Sequence, residues 1–307
     1  MMSFRRSALL LSVFIAAACE RGKAPPPVDT SALHAAHVAD SAALASSTTK
    51  NWDAGAGPVL LVAAASPAQA IVIPPDSARA AEQLAGIPHP ASVTLFGRNG
   101  SVQTAELPGV VDTAVCAVAP LNASPPPKAW SVGFIGGAVS PLALDSIESL
   151  RGDSAALAVE MTRLASALPN DPAGRFAGLP FVIRSMWRFT IPSGPQVVVA
   201  TFIRQINQEA TPLQERTLIV GERAPKDSTF TAGYSERSYG QEETIESRDV
   251  LAAVLIGSSR TPSLILAHDY GDATAYGLVE RGDGGRWRSR WLSASRRCPA
   301  SGTLDSR

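Results

Sequence analysis

Phe181-Val182-Ile183-Arg184-Ser185-Met186-Trp187-Arg188-Phe189 is the stretch whose period decides the fold. Apolar residues recur on one parity at Phe181, Ile183, Trp187, Phe189 and Ile191, while Arg184 and Arg188 fall on the other. Successive side chains of a strand point to opposite faces, so this pattern predicts a half-buried strand with its arginines outward. Val197 to Ile203 is apolar on both parities, as in a central strand, and Thr217 to Val220 makes a third. Val250 to Ile256 is predicted to pair with Ser263 to Ala267, and Tyr276 to Arg281 with Arg286 to Leu292, each across a Gly-containing turn. The polar residues 224–248 between them read as a long loop or a ragged edge hairpin. Residues 171–298 are therefore expected to form an antiparallel meander.

Upstream, residues 58–170 have a mixed character. Val59 to Val62 and Ala70 to Ile73 suit buried strands. Asp76 is placed to cap a helix with Leu84 inward and Gly86 as its stop. Val93 to Phe96 and Val102 to Leu107 flank Gly97-Arg98-Asn99-Gly100, a hairpin signal because Asn-Gly accepts positive φ. Further strands are expected at Thr113 to Val118, which carries Cys116, and at Trp130 to Gly137. A helix is expected from the capping-box spacing Asp145-Ser146-Ile147-Glu148, and a longer one from Asp153, with Leu157, Met161, Leu164 and Leu168 facing the core. The fold class is thus α+β and β-dominated, with two or three helices in a mixed N-terminal part and a C-terminal antiparallel meander.

The 307 residues, 45% apolar and 18% charged, can bury a sizeable core, and a net charge of zero favours no nucleic-acid partner. At the start, Arg5 and Arg6 precede an apolar run, Ala8 to Ala18, too short to span a bilayer as a permanent helix. Small residues Ala16-Ala17-Ala18 then meet Cys19. This arrangement resembles the lipobox of bacterial lipoproteins, although Ala16 stands where many carry Leu. The resemblance implies a signal peptide over 1–18, acylation of Cys19 and a place on the periplasmic side of a cell-envelope membrane. Residues 19–57, with Pro25-Pro26-Pro27 and an Ala/Ser/Thr-rich continuation, read as a lipidated Cys and a disordered tether. Residues 299–307 read as a flexible tail.

Little points to chemistry. His34 and His37 sit in the tether, and His89 and His268 have no partner at ligand spacing, so no metal site and no cofactor is expected. No Gly-x-Ser-x-Gly elbow occurs, and Ser47-Thr48-Thr49-Lys50 matches Ser-x-x-Lys only within the tether. His268, Asp269 and Asp272 are the weak catalytic candidates. With Cys19 lipidated, Cys116 and Cys298 remain as a candidate disulfide. Trp287 and Trp291 are expected on one face of the last strand, beneath a row of Arg286, Arg288 and Arg290 that offers a candidate anionic contact surface. The resulting expectation is a non-catalytic, lipid-anchored envelope protein that binds or scaffolds a protein or cell-wall polymer partner. The alternative is an exported hydrolase with a dispersed site near His268, and a glycan-binding module would show Trp130, Trp187 or Trp287 on a flat exposed face. Replacing Cys19 by Ser is expected to move the exported protein from the membrane to the soluble fraction; unchanged partitioning would contradict the anchor.

Overall fold

The computed structural model describes residues 52–112, 116–147, 152–170, 173–207 and 212–298. Cys19, the signal peptide, the tether as far as residue 51 and the tail 299–307 lie outside the described residues, as does Glu148. Strands dominate and all pairings are antiparallel. A first, seven-stranded sheet contains β1 (Leu60–Ala63), β2 (Gln69–Ile73), β3 (Ala91–Phe96), β4 (Val102–Leu107), β5 (Val111–Asp112), β6 (Ala117–Pro120) and β7 (Val132–Ile135), in the order β4-β3-β7-β1-β2-β6-β5. A middle sheet is built from β8 (Val139–Leu142) and a four-stranded meander, β14 (Ser247–Ile256), β15 (Thr261–Asp269), β16 (Thr274–Arg281) and β17 (Trp287–Leu292). A third sheet repeats that plan with β9 (Asp145–Ser146), β10 (Val182–Thr190), β11 (Gln196–Ile206), β12 (Leu213–Arg223) and β13 (Thr231–Gln241).

The expected C-terminal meander is therefore present, folded into two sheets that face each other. The middle sheet is covered on both sides. Ile265, Tyr276, Leu278 and Trp291 on one face pack with Leu60, Val62, Ile71 and Phe134 of the first sheet. Val250, Leu264, Leu266 and Val279 on the other pack with Val197, Val199, Leu218 and Val220 of the third. Short helices close the outer faces. Helix α1 (Ala80–Ala85), led in by an Asp76-capped 3-10 turn, places Leu84 against the first sheet. Helix α2 (Gly152–Ala167) lays Leu157, Met161 and Leu164 on the third. Gly221 permits that approach, because a Cβ there would lie 3.1 Å from Leu164 Cδ1 and from Met161 Sδ.

Several expectations need correction. Asp145–Ser146 is a strand on the edge of β10 rather than a helix start. Its neighbours 139–142 likewise join β14, so residues upstream of 170 complete both later sheets. Ordered packing begins before residue 58: Trp52 meets Trp291 edge-on, with ring centroids 4.6 Å apart. Strand β10 carries a bulge between Ile183 and Ser185. An extra residue inverts the alternation, so Phe181 and Ile183 pack with the α2 face while Trp187, Phe189 and Ile191 face the middle sheet. The register shift at Arg290 does the same to β17. Trp287 faces the third sheet and Trp291 the first, on opposite sides of their strand. Finally, of residues 224–248, expected as a long loop or a ragged edge hairpin, 231–241 form an eleven-residue edge strand.

Cys116 and Cys298 form a disulfide across a sequence separation of 182 residues, joining the start of β6 to the chain beyond β17. By the loop-closure model a ring of that size is stabilised by about 5 kcal/mol through the unfolded state. Peptide mapping without reductant is expected to recover the linked 116–298 pair, and Cys116→Ala with Cys298→Ala to lower the urea midpoint; two free thiols in exported material would contradict the bridge.

Candidate functional site

Strand β14 divides two clefts at one end of the stack. Its bulge between Val250 and Ala252 sends Arg248 and Val250 toward the third sheet, and Leu251 and Ala252 toward the first. Strand β15 alternates regularly, so His268 follows Leu264 and Leu266 toward the third sheet while Ala267 and Asp269 look toward the first.

Between the first and middle sheets lies a cleft of about 700 Å³. Val62, Ala64, Leu251 and Ala267 give it apolar walls, and the ion pair of Arg98 with Asp249 stands at its rim. Tyr276 is one of its polar groups, beside Asp269 and Thr274. Its ring is buried at 3% exposure and its hydroxyl has no hydrogen-bond partner among the described residues. Burial, then the nearby Asp269 carboxylate, raises its pKa to about 12.

Between the middle and third sheets the apolar core gives way to a buried charged layer. Glu236 and Ser238 come from β13, Arg248 from β14, His268 from β15, and Glu246 from the β13–β14 connection. The Arg248 Nη2 lies 2.8 Å from Glu246 Oε2, and its Nη1 donates to Ser238 Oγ at 3.2 Å. Its Nε is 2.5 Å from Glu236 Oε2, an ionic contact in which the N–H is not directed at the oxygen. Burial disfavours the Arg248 charge, but Glu236 and Glu246 outweigh it and hold its pKa above the ordinary arginine value. The Tyr234 hydroxyl donates to Glu236 Oε1, and burial followed by that carboxylate raises the Tyr234 pKa. His268 Nδ1 stands 2.7 Å from Glu246 Oε1. An ionised carboxylate only accepts, so Nδ1 carries the proton. On the other side of the ring, Nε2 closes on Gly277, where a Cβ would lie only 2.8 Å away.

Imidazole and carboxylate therefore meet, as a hydrolase site requires, but no hydroxyl among the described residues is bonded to Nε2. Ser238 Oγ instead donates to the Glu246 carbonyl at 3.1 Å. Nor do the three weak catalytic candidates converge. Asp269 faces the other cleft and caps its own turn through Gly271 N at 2.8 Å, and Asp272 pairs with Arg297 at 2.6 Å on the surface. Arg286 and Arg288 are exposed and Arg290 is half-buried; Arg288 and Arg290 both reach Glu280, at 3.1 and 3.3 Å. Trp130 and Trp287 are buried, so neither offers the flat face of a glycan platform, and Trp187 lies under the Arg98 guanidinium, 5.1 Å from its ring centroid. Among the described residues no group of three His, Cys, Asp or Glu side chains is placed to hold a metal ion, and no helix is long and apolar enough to cross a membrane.

Sequence reasoning missed the charged layer because residues 224–248 read as solvated. The signal was there in weak form. Tyr234, Glu236 and Ser238 share one parity, and period-two placement of amphipathic and polar residues also describes a strand facing a polar interior. A second buried pair also went unread. Arg204 and Glu215, directly across neighbouring strands, make bonds of 3.0 and 2.8 Å at 3% and 0% exposure. No family model, curated protein or solved structure matches this chain.

Arg248→Met leaves two buried carboxylates without their cation, and a loss of about 3–5 kcal/mol is expected in urea unfolding; a loss below about 1 kcal/mol would show the layer to be hydrated. Tyr276 has a folded pKa above its unfolded value, so its contribution is complete below pH 10.0 and disappears as pH rises toward about 12. Tyr276→Phe should therefore flatten the alkaline fall in stability over that window, and an unchanged pH profile would contradict the assignment.

Proposed function

We propose that this chain is a lipid-anchored, exported envelope protein that binds or scaffolds a protein or polymer partner and performs no chemistry on it. The observation that carries this reading is the apolar cleft between the first and middle sheets. Its volume of about 700 Å³ is that of a ligand site, and its aliphatic wall stands beside polar side chains that include Asp249, Asp269 and Thr274.

The hydrolase alternative has half of what it needs in the Glu246–His268 pair. Among the described residues no nucleophile stands on Nε2, and that nitrogen is walled in by Gly277. The buried layer instead fits a structural role joining the two meanders.

A photo-reactive residue at Ala64, on the cleft wall, is expected to crosslink a discrete partner in intact cells. The same probe at Val159, exposed on α2, should not. Ala267→Trp, which fills the cleft, should abolish the Ala64 adduct while leaving the circular dichroism spectrum unchanged. Adducts that are the same at both positions, or insensitive to filling, would contradict the reading.

A further inference from the structure

The smaller cleft, between the middle and third sheets, has a volume of about 370 Å³ and a different chemistry. Arg184, Arg216 and Arg248 line it together with Thr201, Gln205 and Glu242. Arg248 is paired with two carboxylates, Glu236 and Glu246, which more than offset its charge. The other two arginines have no carboxylate partner among the described residues.

Arg216 is held by neutral acceptors. Its Nε donates to Gln214 Oε1 at 3.2 Å, Nη1 to the Ile245 carbonyl at 3.2 Å and Nη2 to the Glu242 carbonyl at 3.3 Å. A guanidinium has five N–H groups, so one remains on each Nη while the plane of the group is fixed. That is the fork which accepts two oxygens of a carboxylate or phosphate. Arg184 occupies the bulge of β10, where an inserted residue re-aims a side chain. It is exposed, makes no ion pair among the described residues, and its charge reaches Arg216. Burial first and Arg184 next depress the Arg216 pKa, against the opposing fields of Glu242 and Asp269. The one carboxylate on the wall, Glu242, accepts from Gln205 Nε2 at 3.1 Å. Two guanidinium groups thus share the wall with one carboxylate, and that of Arg216 is already oriented.

We infer that this cleft is an oxyanion-binding site, in which Arg216 grips a carboxylate or phosphate group of a small ligand and Arg184 closes over it. It is a separate site from the apolar cleft, which it meets at Ser247, and it stands whether or not that cleft binds a partner.

The test is a titration of the full mature chain with inorganic phosphate, and separately with acetate, at constant ionic strength in chloride, followed by arginine Nε–H resonances. Saturable shifts are expected with one or both oxyanions, and the preferred one names the ligand's acidic group. Arg216→Gln should weaken binding by about tenfold or more, and Arg216→Lys, which keeps the charge and loses the fork, should also weaken it. Arg184→Gln should weaken it as well, and Arg79→Gln, exposed beside α1 and away from the cleft, should leave it unchanged. Thermal unfolding of each variant establishes that it folds, and should Arg216→Gln fail to fold, Arg184→Gln and Arg216→Lys decide the matter. No saturation in the wild type, or equal affinity in the folded Arg184 and Arg216 variants, would overturn the proposal.

Discussion

Burial of the middle sheet on both faces is the constraint from which the rest of the architecture follows. Leu264, Ile265 and Leu266 are consecutive residues of one strand, all fully buried, and they alternate between two different neighbouring sheets. A sheet with two apolar faces cannot be left half-covered in water. The first sheet and the third sheet must therefore both dock on it, and each then needs a cover for its own outer face. That need explains why the two described α-helices lie at the outside of the stack, against aliphatic side chains of the outer sheets.

Besides the apolar clusters, polar contacts fasten the third sheet to the middle one at both ends. Glu222 of β12 accepts from Arg281 Nε of β16 at 2.6 Å and from Trp287 Nε1 of β17 at 2.6 Å, tying the third sheet to the middle one at one end. The Glu236–Arg248–Glu246–His268 layer ties them at the other. Buried ions of this kind add little net stability over a well-packed apolar interior, yet they are costly to mispair. A slip of β14 by one residue would turn Arg248 to the opposite face, away from both carboxylates. The layer thus defines the register in which two otherwise greasy sheets meet. The disulfide has a comparable role on the first sheet, holding its edge to the end of the chain.

Much of this was legible in the sequence and some of it was not, for identifiable reasons. Strand positions in the meander, the Asp76-capped helix, the Gly97–Gly100 hairpin and the Cys116–Cys298 pair all carried local signals that the structure contains. Which face a residue occupies was less secure. The bulges at Arg184, Leu251 and Arg290 carry no glycine or proline to mark them, and each reverses the parity beyond it. This is why Trp287 and Trp291, four residues apart, serve different cores. The Asp145 capping box failed because the segment finds a tertiary partner in β10, and a weak local preference yields to that pairing. The division of the meander into two stacked sheets, and the charged layer between them, depend on contacts far apart in sequence. A polar stretch such as 224–248 gives only a weak sign, the shared parity of Tyr234, Glu236 and Ser238, of whether water or another polar strand will face it.

The two clefts share this origin. Both open at the end of the stack where the sheets diverge around the start of β14, one lined by the apolar faces that would otherwise meet, the other by the arginines beyond the charged layer. The central claim, that the middle sheet is the element on which the others depend, is tested most directly by native-state hydrogen exchange. Amides of residues 264–267 are predicted to be the slowest in the molecule and to exchange only by global unfolding. Exchange there ahead of residues 197–201 of the third sheet would mean that the sheets fold around a different centre.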